Sequence, residues 1–228
     1  MKAVILAGGY GKRLMPLTSR LPKPLLEVGG KPIIDWQISW LKRSGVGSFV
    51  VTCGYLKEKL ISHLDVLKKD SGIEVEYAIE KSPLGTGGAL KNSASHIDEE
   101  EFIAVNGDVI TNLSVKKLKL GKAMASLALT RLKSPFGIVK TENAVVSRFD
   151  EKPYIKGYWI NAGVYRMRDG IFSYLPAKGD IERTAFATLA ARRLLIGVKY
   201  DGVYWRSIDS LKDLEDADKE LRGGVLRA

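Results

Sequence analysis

In the first half of the chain, apolar runs of strand length take turns with helical patterns, and loops rich in Gly or Pro separate them. Strands are expected at Lys2–Ala7, Phe49–Cys53, Glu74–Ile79 and Phe102–Val105. Helices are expected from Pro32 to about Ser44, from about Lys57 to Leu67, and briefly near Ala89. Pro32 suits a first helical turn, where a missing N–H costs nothing, and Gly45 suits the stop. A helix between successive strands carries the chain back across the sheet, so those strands run parallel. The pattern specifies an α/β fold of three layers: a mixed, mainly parallel central sheet with helices on both faces. Ligands of such sheets bind beyond the carboxyl ends of the strands. The loops at Gly8 and Asp108, and the approach to Gly85, are expected to converge there.

The second half is richer in strands. They are expected at Met124–Thr130, Ile138–Lys140, Val145–Phe149, Ile160–Arg166, Leu195–Val198 and Val203–Trp205. Helices are expected at about Glu182–Arg192 and Leu211–Leu221, the last with an apolar stripe of Leu211, Leu214, Ala217 and Leu221. No linker or repeat interrupts the pattern, so the 228 residues read as one domain with halves at about 1–115 and 116–228.

Composition narrows the function classes. With 45% hydrophobic and 27% charged residues, disorder is excluded. No apolar run approaches the roughly 18 residues of a membrane helix. The apolar part of the N-terminus is too short for a signal peptide. The expectation is a cytoplasmic protein without a membrane partner. One cysteine, Cys53, excludes an internal disulfide, and two histidines, His63 and His96, leave little for a zinc site. Cys53 reads as a core hydrophobe and the histidines as ordinary surface or helix residues. The net charge of +10 favours acidic partners. No zinc-finger spacing, RNA-recognition signature or basic arm accompanies it, so nucleic acid is not expected.

The strongest motif is Leu6-Ala7-Gly8-Gly9-Tyr10-Gly11-Lys12-Arg13-Leu14, followed by Pro16-Leu17-Thr18 and Pro22-Lys23-Pro24. Glycines after a strand let backbone N–H groups approach phosphates. Arg13 offers a planar fork and Lys23 a compact charge. The spacing fits neither the Walker A loop nor GxGxxG. Four further segments follow in order: Leu84-Gly85-Thr86-Gly87-Gly88, Asn106-Gly107-Asp108, Phe149-Asp150-Glu151-Lys152-Pro153 and Asn161-Ala162-Gly163-Val164-Tyr165. Taken singly, each has a plain alternative: a Gly-rich turn, a turn aspartate, a surface ion pair of little worth.

Together these segments resemble the sugar nucleotidyltransferase (nucleotide-sugar pyrophosphorylase) family, over nearly the whole chain and its catalytic core only. The resemblance implies a Rossmann-like nucleotidyltransferase fold with a nucleotide-binding first half and a sugar-phosphate-binding second half. It implies nucleotide contacts at Leu6, Ala7, Gly8, Gly9, Gly11, Arg13, Lys23, Gly85, Thr86 and Gly88. It implies sugar-phosphate contacts at Gly137, Glu151, Lys152 and Asn161. Arg13, Lys23 and Asp108 are the implied catalytic residues, with Asp108 holding Mg²⁺. One position departs: Ser207 stands where the family often has a second metal aspartate, and Asp209 lies two residues later. The metal role is carried to Asp209, against the alternative that Asp209 or Ser210 caps the last helix with Asp213.

The implied reaction joins a nucleoside triphosphate to a sugar 1-phosphate and releases pyrophosphate. The Leu84 segment looks most like the guanylyltransferase members, which implies GTP and mannose 1-phosphate. Other bases, sugars or an alcohol phosphate stay open, as does a non-catalytic regulatory subunit of the same fold. A homodimer is compatible with the sequence but not dictated by it.

Overall fold

The computed structural model describes residues 1–226. The strands, in chain order, are β1 (Lys2–Leu6), β2 (Glu27–Val28), β3 (Lys31–Pro32), β4 (Ser48–Cys53), β5 (Glu74–Ile79), β6 (Glu101–Asn106), β7 (Val109–Thr111), β8 (Ala125–Lys133), β9 (Ile138–Glu142), β10 (Val145–Asp150), β11 (Tyr154–Arg168), β12 (Leu195–Lys199) and β13 (Trp205–Ser207). The helices are α1 (Ile33–Arg43), α2 (Lys57–Ser71), α3 (Gly85–Asn92), α4 (Ala187–Ala191) and α5 (Leu211–Arg222). A single π-turn, Glu182–Phe186, leads into α4, so the helix expected over 182–192 is wound in two ways.

The central sheet has seven strands in the order β12-β8-β11-β6-β1-β4-β5. Every neighbouring pair is parallel except the two that involve β11. The mixed, mainly parallel sheet is therefore present as expected. Successive residues of β1 point to opposite faces. Ala3 and Ile5 pack with Ile34, Ile38 and Leu41 of α1 and Leu60 and Leu64 of α2. Val4 packs on the other face with Leu90 of α3 and Leu189 of α4. Both faces are covered, and β1, β4 and β6 accordingly read as near-continuous apolar runs.

A third cluster joins Leu14, Val28, Ile33, Ile110 and Ile208 to Ala217 and Leu221 of α5. It anchors two short ribbons, β2–β3 and β7–β13. The strand expected at Val203–Trp205 lies at Trp205–Ser207 instead. Its register is set by pairing with β7, a three-residue partner too short to carry a pattern of its own. Trp36 and Trp40 are both used within the chain: their ring N–H groups donate to Val28 O and Leu113 O. Among the described residues, no helix is long and apolar enough to cross a membrane.

Candidate functional site

The chain runs from β1 outward to β4 and β5, then returns to place β6 on the other side of β1. The strand order therefore reverses between β1 and β6, where loops part and leave a crevice. Gly107 N donates to Leu6 O at 3.0 Å, which draws the Asn106–Gly107–Asp108 turn against the end of β1. A Cβ at residue 107 would lie 2.4 Å from Leu6 O, so only glycine permits this approach. Gln37, buried on α1, donates from Nε2 to Asn106 O (2.8 Å) and Val109 O (2.9 Å). It brackets the turn that carries Asp108. The only sign of Gln37 in the sequence is a lone amide on an apolar helix face.

Asp108 and Asp209 come together because Val109 of β7 pairs with Ser207 of β13, and Ile208 N donates to Asp108 O at 2.9 Å. Lys23, in a short 3₁₀ turn between two prolines, points its ammonium between them: Nζ lies 2.7 Å from Asp108 Oδ2 and 3.3 Å from Asp209 Oδ1. Arg13 Nη2 donates to the same Asp209 Oδ1 at 2.8 Å, and Ser207 Oγ donates to Oδ2 at 2.8 Å. Burial alone would raise the Asp209 carboxyl. The Lys23 charge, the Ser207 hydroxyl and the Arg13 charge outweigh it and hold the group below the usual aspartate value. The helix cap is a separate matter. Ser210 accepts from Asp213 N and Asp213 accepts from Ser210 N, a capping box that leaves the Asp209 side chain free for the cations.

These groups border a cavity of about 400 Å³, inside the roughly 300–1,000 Å³ of small-molecule sites. Leu6, Ala7, Gly8, Gly9 and Gly11 line one part of it. Arg13, Lys23, Asp108 and Asp209 line another, and Gly85 and Thr86 a third. Gly88 does not line it. A Cβ at Gly88 would meet Ala177 O at 2.8 Å, and one at Gly85 would meet Gly179 O at 2.7 Å. These glycines admit the 176–180 loop, whose Gly179 O accepts from both Gly87 N and Gly88 N. Thr86 Oγ1 in turn accepts from Ile181 N and donates to Glu182.

Glu80, one residue past β5, joins the site without belonging to any of the five motif segments. It is 8% exposed and borders the cavity beside Gly8. Burial pushes its carboxyl above the usual glutamate value, only partly offset by hydrogen bonds from Leu84 N and the Thr52 hydroxyl. A Cβ on Gly8 would sit 1.9 Å from Glu80 Oε1, so a larger residue there requires this carboxylate to move. Its sequence signal is an acid at the carboxyl end of a parallel strand, shortly before a Gly-rich loop. Cys53 is fully buried, and burial and the nearby Glu80 charge push its thiol up to about 11. It is no nucleophile. His63 and His96 pair with Asp35 and Glu76, away from the cavity.

The four sugar-phosphate candidates do not line the cavity. Gly137, Glu151 and Lys152 belong to an arm built on the β9–β10 hairpin, which turns at Asn143 and Ala144, both with positive φ. A Cβ at Gly137 would lie 2.7 Å from the Phe149 ring. Lys152 Nζ and Glu151 Oε1 are 3.6 Å apart and largely exposed. Asn161 is engaged within the fold: its Nδ2 donates to Tyr165 Oη and its Oδ1 accepts from Gly163 N.

The donor set suits a hard divalent cation. Two carboxylates face one another with an ammonium seated between them as a stand-in cation. Among the described residues no group of three or more His, Cys, Asp or Glu gathers around one point. A magnesium ion held here would take its other ligands from phosphate and water, its usual habit.

Comparison with known proteins places the chain in a family. The model of the "Nucleotidyl transferase" family matches residues 2–223. A mannose-1-phosphate guanyltransferase of Yarrowia lipolytica is 35% identical over 225 residues, which are 93% of this chain and 62% of that protein. The chain thus spans about 62% of the length of that relative. The crystal structure of HddC from Yersinia pseudotuberculosis complexed with GMP-PN superposes with a TM-score of 0.71 at 26% identity, covering 96% of this chain and 98% of that one. A putative glucose-1-phosphate thymidylyltransferase from Bacillus anthracis shares the fold, with a TM-score of 0.77 at 24% identity over 97% of this chain and 95% of that one. Matched by that family model over residues 2–223, the chain belongs to the nucleotidyl transferase family.

Proposed function

We propose that this protein transfers a nucleotidyl group from a nucleoside triphosphate to a sugar 1-phosphate, releasing pyrophosphate and forming a nucleotide sugar. The observation that carries the reading is the Arg13–Lys23–Asp108–Asp209 cluster on the wall of a Gly-lined cavity. An oxygen of the sugar phosphate attacks the α-phosphorus in line. The new P–O bond forms as the bond to the bridging oxygen of pyrophosphate breaks. The attacking phosphate is already an anion, so no side chain need act as nucleophile. Catalysis is positioning and charge neutralisation. Arg13 and Lys23 hold the triphosphate and stabilise the charge that develops on pyrophosphate. Gly8 and Gly9 bring backbone N–H groups to the nucleotide, and Gly85 and Thr86 border it. Asp108 and Asp209 would hold Mg²⁺, which would supply positive charge to shield the phosphates. Lys152 anchors the attacking phosphate, and Gly137, Glu151 and Asn161 orient the sugar once the arm meets the cavity.

The base is read as guanine and the sugar as mannose. The Y. lipolytica relative is named a mannose-1-phosphate guanyltransferase, and the HddC structure is complexed with GMP-PN. The protein acts in the cytoplasm on these two small molecules. A purely regulatory protein of this fold would be expected to lack a cation or a carboxylate of the cluster, and this chain keeps all four. The deciding experiment is pyrophosphate release with Mg²⁺, five nucleoside triphosphates and a set of sugar 1-phosphates. Release that needs both substrates supports the reading. Silence in every well, with folded protein that still binds nucleotide, overturns it.

A further inference from the structure

Three of the four oxygens of the Asp108–Asp209 carboxylate pair are already taken. Asp108 Oδ2 accepts from Lys23 at 2.7 Å. Asp209 Oδ1 accepts from Lys23 at 3.3 Å and Arg13 at 2.8 Å, and its Oδ2 accepts from Ser207. Lys23 is far from a solvated surface lysine, its side chain being 15% exposed. A magnesium ion binds such oxygens at roughly 2.0–2.1 Å. It cannot do so while an ammonium nitrogen sits between the same two groups, because the space is filled and the charges repel. Two carboxylates are also too few to strip a strongly hydrated divalent ion of its water without help.

We propose that Lys23 is the resident cation of the Asp108–Asp209 pair in the nucleotide-free protein, and that a triphosphate and its metal enter together by an exchange of ionic partners. Before binding, Lys23 and Arg13 face carboxylates, and the metal faces phosphate. After binding, Lys23 and Arg13 face phosphate, and the metal faces the carboxylates. The number of ion pairs is kept, so the exchange needs no uncompensated charge inside the cavity. Free metal finds the site closed. Triphosphate opens it by drawing the two cations away, and by linkage the metal strengthens triphosphate binding by the same factor. Lys23 therefore reaches the phosphates only when a metal has taken its place. This inference rests on the metal assignment made above, but its test requires no turnover.

The test is Mn²⁺ binding to the full chain, read from the free-Mn²⁺ electron paramagnetic resonance signal, with and without a non-hydrolysable triphosphate analogue. After subtraction of the Mn²⁺ held by the analogue without protein, wild type should bind Mn²⁺ weakly alone and at least about tenfold more tightly with the analogue, the scale of one partly screened unit charge. Without nucleotide, Lys23→Met should bind Mn²⁺ about tenfold more tightly than wild type. Lys23→Arg keeps a cation in place and should behave as wild type. Adding Asp209→Asn to Lys23→Met should abolish the gain. Equal Mn²⁺ affinity in wild type and Lys23→Met, or a wild-type affinity indifferent to the analogue, overturns the exchange. The second measurement needs no variant to fold. A gain that survives Asp209→Asn overturns the metal assignment and the exchange with it. Intact exchange with no pyrophosphate release in any substrate pair overturns the transferase reading alone.

Discussion

The β1–β6 crevice and the β9–β10 arm carry the two halves of one candidate site, and they are built in opposite ways. In the crevice, Lys23, Asp108 and Asp209 are held before any ligand arrives, while Arg13, paired with Asp209, stays 75% exposed. Lys23 is fixed between two carboxylates, Asp108 sits on a turn bracketed by Gln37, and Gly107 is locked against Leu6. In the arm, Glu151 and Lys152 are 63% and 46% exposed, and the residues of β9 are exposed throughout. The difference follows from what lies beneath. The crevice rests on strands covered on both faces, whereas the hairpin has solvent on both. Under the proposed function, a preformed crevice for the triphosphate and an exposed arm for the sugar phosphate favour binding of the nucleotide first.

Four measurements put that contrast at risk. The largest effect belongs to the crevice. Lys23→Ala should lower kcat by about 10²–10³, the loss typical of one preorganised donor to developing charge, in a steady-state pyrophosphate assay. Second, Gly8→Ala should destabilise by about 1 kcal/mol, because the new Cβ must displace the buried Glu80 carboxylate from its hydrogen bonds. That is a fall in Tm of about 2–4 °C per kcal/mol at this size. Gly9→Ala, at a position with nothing within 4 Å of its Cβ, is the control and should leave Tm unchanged. Equal melting of the two variants would show that the loop is not held by Glu80.

The third effect belongs to the arm. Lys152→Ala should raise KM for the sugar phosphate about tenfold, the scale of one exposed charge–phosphate contact. KM for the triphosphate and the melting temperature should stay as in wild type. A fall in Tm would mean that the arm is as preorganised as the crevice. The smallest effect is a pH slope. The native Glu80 carboxyl titrates above its ordinary value of 4.5, with burial as the largest cause. The folded state therefore binds the proton more tightly than the unfolded state does, and wild-type stability falls as pH rises from 4.5 through the native value. Glu80→Gln cannot ionise. Its Tm advantage over wild type should be absent below pH 4.5 and grow through that window; a difference independent of pH would contradict the burial effect.

The two regions also differ in how openly the sequence displays them. The Gly8–Lys23 stretch and the Asn106–Asp108 turn are legible because both follow strands whose apolar runs are nearly unbroken. Asp209 is ambiguous in sequence, since an acid beside Ser210 and Asp213 satisfies a helix cap equally well. The fold resolves it by giving the cap to Ser210 and the cations to Asp209. Glu80 and Gln37 escape a reading by motif because each acts through a neighbour distant in sequence. Gly88 reads as a ligand contact, and proves a packing glycine instead, because a glycine gives no sign of which backbone it lets approach.

The order and type of the main elements, the mainly parallel sheet and the residues that end its strands are all written in the linear chain. They follow from periodicity, from turn chemistry and from the reach of a βαβ crossing, which are local properties. The pairing of β7 with β13 is not written there, and that pairing is what makes Asp108 and Asp209 face one ammonium. Nor is the burial of Glu80 against Gly8, or the separation of the arm from the crevice. Such outcomes depend on contacts between residues 72 to 196 positions apart, where register and packing rather than local pattern set which side chains meet.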